Sequence, residues 1–228
     1  MNWLIVILYL TSMNSELLAQ SSSSYGYARH AISILETGEI IEGDSAIIEK
    51  NQAIGVAERT YKPDFTVVAN RDSSYYYEIG EFRSGQNNYS YVQILLSKSQ
   101  EKEVELEFYA HKLDASPELV VIDRRREEWV QLCNAHNAAA LINELYAVNT
   151  MYYNHKPLVV GRPGLIQDYQ YMNRESYSLN LIPLKTVQVN DRIVLEIGQC
   201  SGSYKGKYMI VWKKSDSGKW EVFLDSNL

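Results

Sequence analysis

Few residues of this chain have the type and spacing for acid–base chemistry, and the strongest of them is a glutamate that occurs twice. Glu78-Ile79-Gly80 and Glu196-Ile197-Gly198 stand 118 residues apart. Turned into a cavity, Glu196 is the best acid or base available, because burial holds a carboxyl toward its neutral form. Turned outward, it pairs with a lysine on a neighbouring strand. Strand alternation groups it with Val194 and Gly198, opposite Ile193, Leu195 and Ile197. Three aliphatics on one side assign that side to the core, which favours the outward reading. His136 lies one turn beyond Trp129 and Leu132-Cys133. It is either a structural histidine at the helix break before Asn137 or a cavity base or hydrogen-bond donor. His155 stands in the turn Asn154-His155-Lys156-Pro157, where exposure is expected. Tyr152 and Tyr153 point to opposite sides of one strand, so one of them lines a cavity.

Other chemistries lack their signatures. The four histidines, His30, His111, His136 and His155, are scattered, with no H-E-x-x-H and no C-x-x-C, so neither a metal site nor a cofactor is expected. No G-x-S-x-G elbow and no glycine-rich phosphate loop is present. The net charge of −6 argues against nucleic acid as a partner. The one basic run, Arg124-Arg125-Arg126, is followed by Glu127-Glu128 and reads as a solvated helix face. Cys133 and Cys200 are compatible with two separate buried thiols or with one disulfide.

The elements that position these residues form a tandem repeat. Residues 42–52, EGDSAIIEKNQ, and 160–170, VGRPGLIQDYQ, align with Gly43 on Gly161, Ile48 on Ile166 and Gln52 on Gln170. The first copy reads as a hairpin from Ala28 to Ile41, a helix that Asp44 can cap, and strands after Pro63, ending with an alternating run from Val104 to Tyr109. That last run reads as half-buried and near an edge. Ser116-Pro117-Glu118 starts a helix that runs to about Ala135, and a second helix follows from Asn137 to Tyr146. The order of the first copy then returns, with a hairpin from Thr150 to Val160, a helix from Pro163 and four strands ending near Asp225. The first copy has no helices ahead of its hairpin and is therefore truncated. Its sheet should present an uncovered apolar concave face, which the helix from Pro117, the other copy's sheet or a second chain in a homodimer would cover.

Residues 1–21 read as an export signal, with an apolar run from Trp3 to Leu10 too short to span a bilayer and small residues at Ala19-Gln20-Ser21. A periplasmic or secreted protein without stable membrane insertion after cleavage is expected. Residues 25–112 and 117–228 are the expected modules.

The second module resembles the SnoaL-like branch of the nuclear-transport-factor-2-like superfamily. The residues that carry the likeness are Trp129, Ala138-Ala139-Ala140-Leu141 with Leu145-Tyr146, Gly161, Glu196-Ile197-Gly198, Gly202 through Tyr208, Val211-Trp212-Lys213-Lys214 and Asp216 through Trp220. The resemblance covers residues 124–228 well and 28–110 more loosely. It implies an α+β fold of two cone-shaped modules, each a curved antiparallel sheet with helices on its concave side, the first module lacking its N-terminal helices. It also implies either binding of a small apolar or amphipathic ligand in the second cone, or an isomerase, cyclase or dehydratase working there, or a structural dimerisation module. The candidate ligand contacts are Trp129, His136, Tyr146, Tyr153, Glu196 and Trp212. No catalytic set of the family can be matched residue by residue.

Overall fold

The second residue of the duplicated stretch is, in both copies, a glycine with positive φ. Gly43 (φ 91°) precedes helix α1, Asp44–Ala53, and Gly161 (φ 86°) precedes helix α4, Arg162–Asp168. The N-caps are therefore glycines with no side chain to offer; Asp44 sits one residue later, in the first turn of α1, and its carboxylate accepts from the Ser45 N–H at 2.7 Å. These positions come from a computed structural model that describes residues 25–98, 101–116, 118–155 and 157–228. The expected signal at 1–21 lies outside the described residues.

Around each glycine-started helix the same sheet forms. In the first half, β1 (Gly26–Leu35) and β2 (Ile40–Glu42) precede α1, and β3 (Thr60–Val68), β4 (Tyr75–Ser84), β5 (Asn87–Lys98) and β6 (Glu101–His111) follow it. In the second half, α2 (Leu119–Asn134) and α3 (Ala138–Leu145) come first, then β7 (Tyr146–Tyr153), β8 (Val159–Val160), α4, a 3-10 turn at Gln170–Asn173, and β9 (Leu179–Asn190), β10 (Ile193–Gly202), β11 (Lys207–Lys214) and β12 (Trp220–Ser226). The strand orders, β2-β1-β6-β5-β4-β3 and β8-β7-β12-β11-β10-β9, are identical. All pairs are antiparallel except β1 with β6 and β7 with β12, so each sheet is mixed.

Several sequence expectations are corrected here. Strand β6 is interior, between β1 and β5, rather than near an edge. Strand β3 begins at Thr60 and contains Pro63, which an edge strand tolerates because it needs no ladder donor on its outer side. Strand β7 starts at Tyr146, directly out of α3, four residues before the expected hairpin. Helix α2 is entered at Glu118 with no side-chain cap, and Pro117 lies outside the described residues. Asn137 does cap α3, accepting from the Ala140 N–H at 2.9 Å.

Each sheet buries both of its faces. One face of each packs on the other sheet: Ile34, Ile79, Val92, Leu106 and Phe108 meet Ile193, Leu195, Met209, Val211 and Phe223 in one core. Polar contacts cross it, with the Tyr77 hydroxyl 3.0 Å from Ser226 Oγ and accepting from the Leu228 N–H at 2.9 Å. The apolar face of the first sheet is thus covered by the second half of the same chain. The other face of the second sheet carries α2, α3 and α4 over a separate core that includes Trp129, Leu141, Tyr146, Trp212 and Trp220. The corresponding face of the first sheet carries α1 beside a smaller core of Leu35, Val56, Phe82, Tyr91 and Tyr109, into which Glu78, Glu107 and Arg59 are set. Among the described residues no helix is long and apolar enough to cross a membrane.

Candidate functional site

The concave side of the second sheet holds two buried carboxylates. Glu196 projects from β10 into the cone and is fully buried, so the outward reading is corrected. The alternation itself holds, since Ile193, Leu195 and Ile197 lie on the opposite face; that face is a core because another sheet covers it. Arg126 of α2 donates to Glu196 from Nε (2.8 Å) and Nη2 (2.6 Å). The Tyr208 hydroxyl donates at 2.7 Å and Trp212 Nε1 at 3.3 Å. Arg126 is therefore no part of a solvated face: its side chain is 7% exposed.

A glycine makes this arrangement possible. Gly198 lies opposite Tyr208 across β10 and β11, and a Cβ on it would sit 2.1 Å from the tyrosine ring. The ring lies across the bare glycine and brings its hydroxyl to the glutamate two residues earlier. The first half repeats the device: Gly80 lies opposite Tyr91, whose hydroxyl donates to Glu78 at 2.8 Å. The shared Glu-Ile-Gly is thus first a structural motif.

Asp225 of β12 is the second carboxylate. Its Oδ2 accepts from Tyr146 (2.7 Å) and Tyr169 (2.6 Å), and Trp129 Nε1 donates onward to the Tyr146 hydroxyl at 2.9 Å. Burial raises the Asp225 carboxyl above the ordinary aspartate range, against the opposing pull of the two phenols. Asp225 stands 118 residues after Glu107, the offset that links Glu78 to Glu196, and Glu107 likewise accepts from the tyrosine of its first strand, Tyr27, at 2.9 Å.

Little empty space remains inside the cone. A cavity of about 20 Å³, the size of one water, touches Asp225, Trp129, Tyr169, Cys200 and Tyr208. Outside it, at the mouth, a pocket of about 420 Å³ is lined by Tyr152, Asn154, Asp168, Tyr171 and Ser203 among others. Tyr177, Tyr204 and Asn227 line both spaces and form the partition between them.

Of the sequence-derived candidates, Trp129, Tyr146, Glu196 and Trp212 converge in this cone. Tyr153 does not: it packs between the two sheets and donates to Glu105 at 2.6 Å, while its neighbour Tyr152 reaches the mouth pocket. His136 sits in the turn between α2 and α3 with φ 56°, lines no described cavity, and keeps a buried Nδ1 without a partner. Sequence reasoning missed Arg126, Tyr169, Tyr208 and Asp225. Cys133 and Cys200 are free, and burial pushes both thiols up to about 12. Among the described residues no cluster could hold a metal ion.

The order helix, helix, short hairpin, helix and curved four-strand return is complete in the second half, and the described residues of the first half give the same order from the hairpin onward. Each half has the element order of the cone fold that the sequence resemblance implies. No protein-family model matches the chain, and no curated protein matches its sequence. Solved structures similar to part of it include an NTF-2-like protein of unknown function from Shewanella oneidensis MR-1 (11% identity, 47% of this chain and 96% of that one, TM-score 0.43). A domain of unknown function with a cystatin-like fold from Nostoc punctiforme PCC 73102 matches at 13% identity over 50% of this chain and 80% of that one, TM-score 0.41. A ketosteroid isomerase-like protein from Erwinia carotovora atroseptica SCRI1043 matches at 17% identity over 49% and 95%, TM-score 0.40.

Proposed function

We propose that the second module binds a small amphipathic molecule at the mouth of its cone. The observation that carries this is that the mouth pocket, about 420 Å³, shares the wall of Tyr177, Tyr204 and Asn227 with the small cavity at Asp225. A volume of that order suits a small ligand. Four tyrosines offer ring faces and hydroxyls together, and Asn154, Asp168, Ser203 and Asn227 supply polar contacts that fix orientation. The ligand sits at the mouth rather than deep in the cone, because the interior is filled by Trp129, Tyr146, Trp212 and the Arg126–Glu196 pair.

The rival reading, proton transfer of the isomerase type, has one observation in its favour: a single buried carboxyl with a raised pKa that touches the inner cavity. Glu196 does not serve it, since two bonds from Arg126 and two further donors occupy both its oxygens. Native mass spectrometry of the full chain tests binding. A reproducible added mass that disappears in Tyr171→Ala supports the proposal; a clean mass at every preparation overturns it. Turnover of that ligand, abolished in Asp225→Asn without loss of fold, would instead favour the enzyme.

A further inference from the structure

The strand register shows that the first module has a pocket in the same place as the inner cavity of the second, with its polarity changed. Tyr61 lies opposite Phe82 and Leu181 opposite Cys200, and Phe82 and Cys200 are 118 residues apart. Two residues before Tyr61 and Leu181 stand Arg59, just ahead of β3, and Leu179, the first residue of β9, while Asn51 in the last turn of α1 and Tyr169 just after α4 share the 118-residue offset. The second module's inner cavity is lined by Tyr169, Leu179 and Leu181. The first module's pocket is lined by Asn51, Arg59 and Tyr61, with Tyr27, Ile48 and Ala57, and holds about 130 Å³.

Arg59 is the centre of this pocket. Its side chain is 5% exposed, its guanidinium lies 4.6 Å from the Phe82 and Tyr109 ring centres, and three of its contacts are fixed: Nε to the Val56 carbonyl, Nη1 to Tyr61 and to Glu107. Its second terminal nitrogen, Nη2, is buried without a partner. Leaving such a donor unsatisfied costs roughly 1–3 kcal/mol or more, so an acceptor is called for.

The surrounding charge decides what kind. Glu107, 2.9 Å away, already neutralises Arg59, and Glu78, a second buried carboxylate on the same face, is held by Thr66, Tyr91 and Gln93, all neutral donors. An anionic ligand would meet a spent cation and an excess negative charge, and a cationic one would meet the guanidinium in the wall. We propose that this pocket is a second binding site, for a small neutral molecule that offers a carbonyl or hydroxyl oxygen to Arg59 Nη2 between the rings of Tyr27 and Tyr61.

The test is saturation-transfer NMR on the full chain with acetamide and glycerol, and with acetate and methylammonium as their charged counterparts. Two variants accompany it. Ala57→Phe fills the pocket from an exposed wall position, and Arg59→Lys keeps a cation for Glu107 while removing the second nitrogen. Transfer to the neutral probes that both variants abolish, and that Tyr204→Ala in the second module leaves intact, is the expected result. The proposal is overturned by equal transfer to acetate or methylammonium, by neutral transfer that survives Arg59→Lys, or by no transfer at all, which would leave Nη2 to ordered water.

Discussion

Arg126 grips Glu196 with two nitrogens, whereas in the first module Arg59 serves the other carboxylate, Glu107. Each half thus pairs an arginine with one of two buried acids, and the paired acids are not the ones that correspond by the 118-residue offset. Among the described residues no counterpart of α2 brings an arginine to Glu78, which is held by neutral donors instead.

Breaking the second module's pair should therefore be severe. Arg126→Ala leaves Glu196 charged in a dry core, and a loss of about 3–5 kcal/mol is expected from removing one partner of a buried ion pair. Pairing Arg126→Leu with Glu196→Gln should recover most of it, because the glutamine oxygen still accepts from Tyr208. Urea midpoints of the single and double variants measure this; a double variant as unstable as Arg126→Ala would rule out the charge as the cause.

The glycines opposite the two tyrosines give a sharper contrast. Gly198→Ala drives a methyl group into the Tyr208 ring, and Gly80→Ala places one 2.7 Å from the Lys62 carbonyl, which is backbone and cannot move aside. Each should cost about 1–3 kcal/mol by overpacking. Gly26, with nothing within 4 Å of a built Cβ, should accept alanine within about 0.5 kcal/mol. Thermal melts of the three variants decide it, and equal effects at all three sites would refute the ring-over-glycine account.

Much of the fold was legible in the sequence, because the two glycines with positive φ and the doubled Glu-Ile-Gly are fixed by backbone and packing demands that recur at one spacing. The side of Glu196 was misjudged for a physical reason. Alternation separates two faces of a strand but cannot say that both are buried, and here a second sheet covers one and α2 the other. Arg126 was readable in principle: with Ile122, Trp129 and Cys133 it falls on the helix's buried stripe, which outweighs its place in a run of charges. Asp225 carried the weakest signal, an aspartate standing where the first copy has Glu107, visible only once the offset is applied beyond identical residues.

The core between the sheets predicts that the halves depend on each other. A fragment of residues 117–228 would expose Ile193, Leu195, Met209, Val211 and Phe223 on one continuous face. It should self-associate, with light scattering giving a mass well above that of one fragment. The full chain supplies its own cover and should unfold in a single transition. A monodisperse, monomeric fragment would show that the sheet-to-sheet core is dispensable.

Asp225 gives stability a pH dependence of definite sign. Burial raises its carboxyl above the ordinary 3.8. Below that value the group is protonated in both the folded and the unfolded chain, and its contribution is fully present. As pH rises, the unfolded chain releases the proton first, so stability falls until pH passes the raised folded value and the loss is complete. Asp225→Asn keeps an oxygen for Tyr146 and Tyr169 and has no proton to release. Its stability relative to the natural chain should therefore increase as pH is taken from about 4 to about 8. Chemical denaturation at several pH values measures the difference, and a difference that stays flat or runs the other way would mean that Asp225 is ionised in the folded protein throughout.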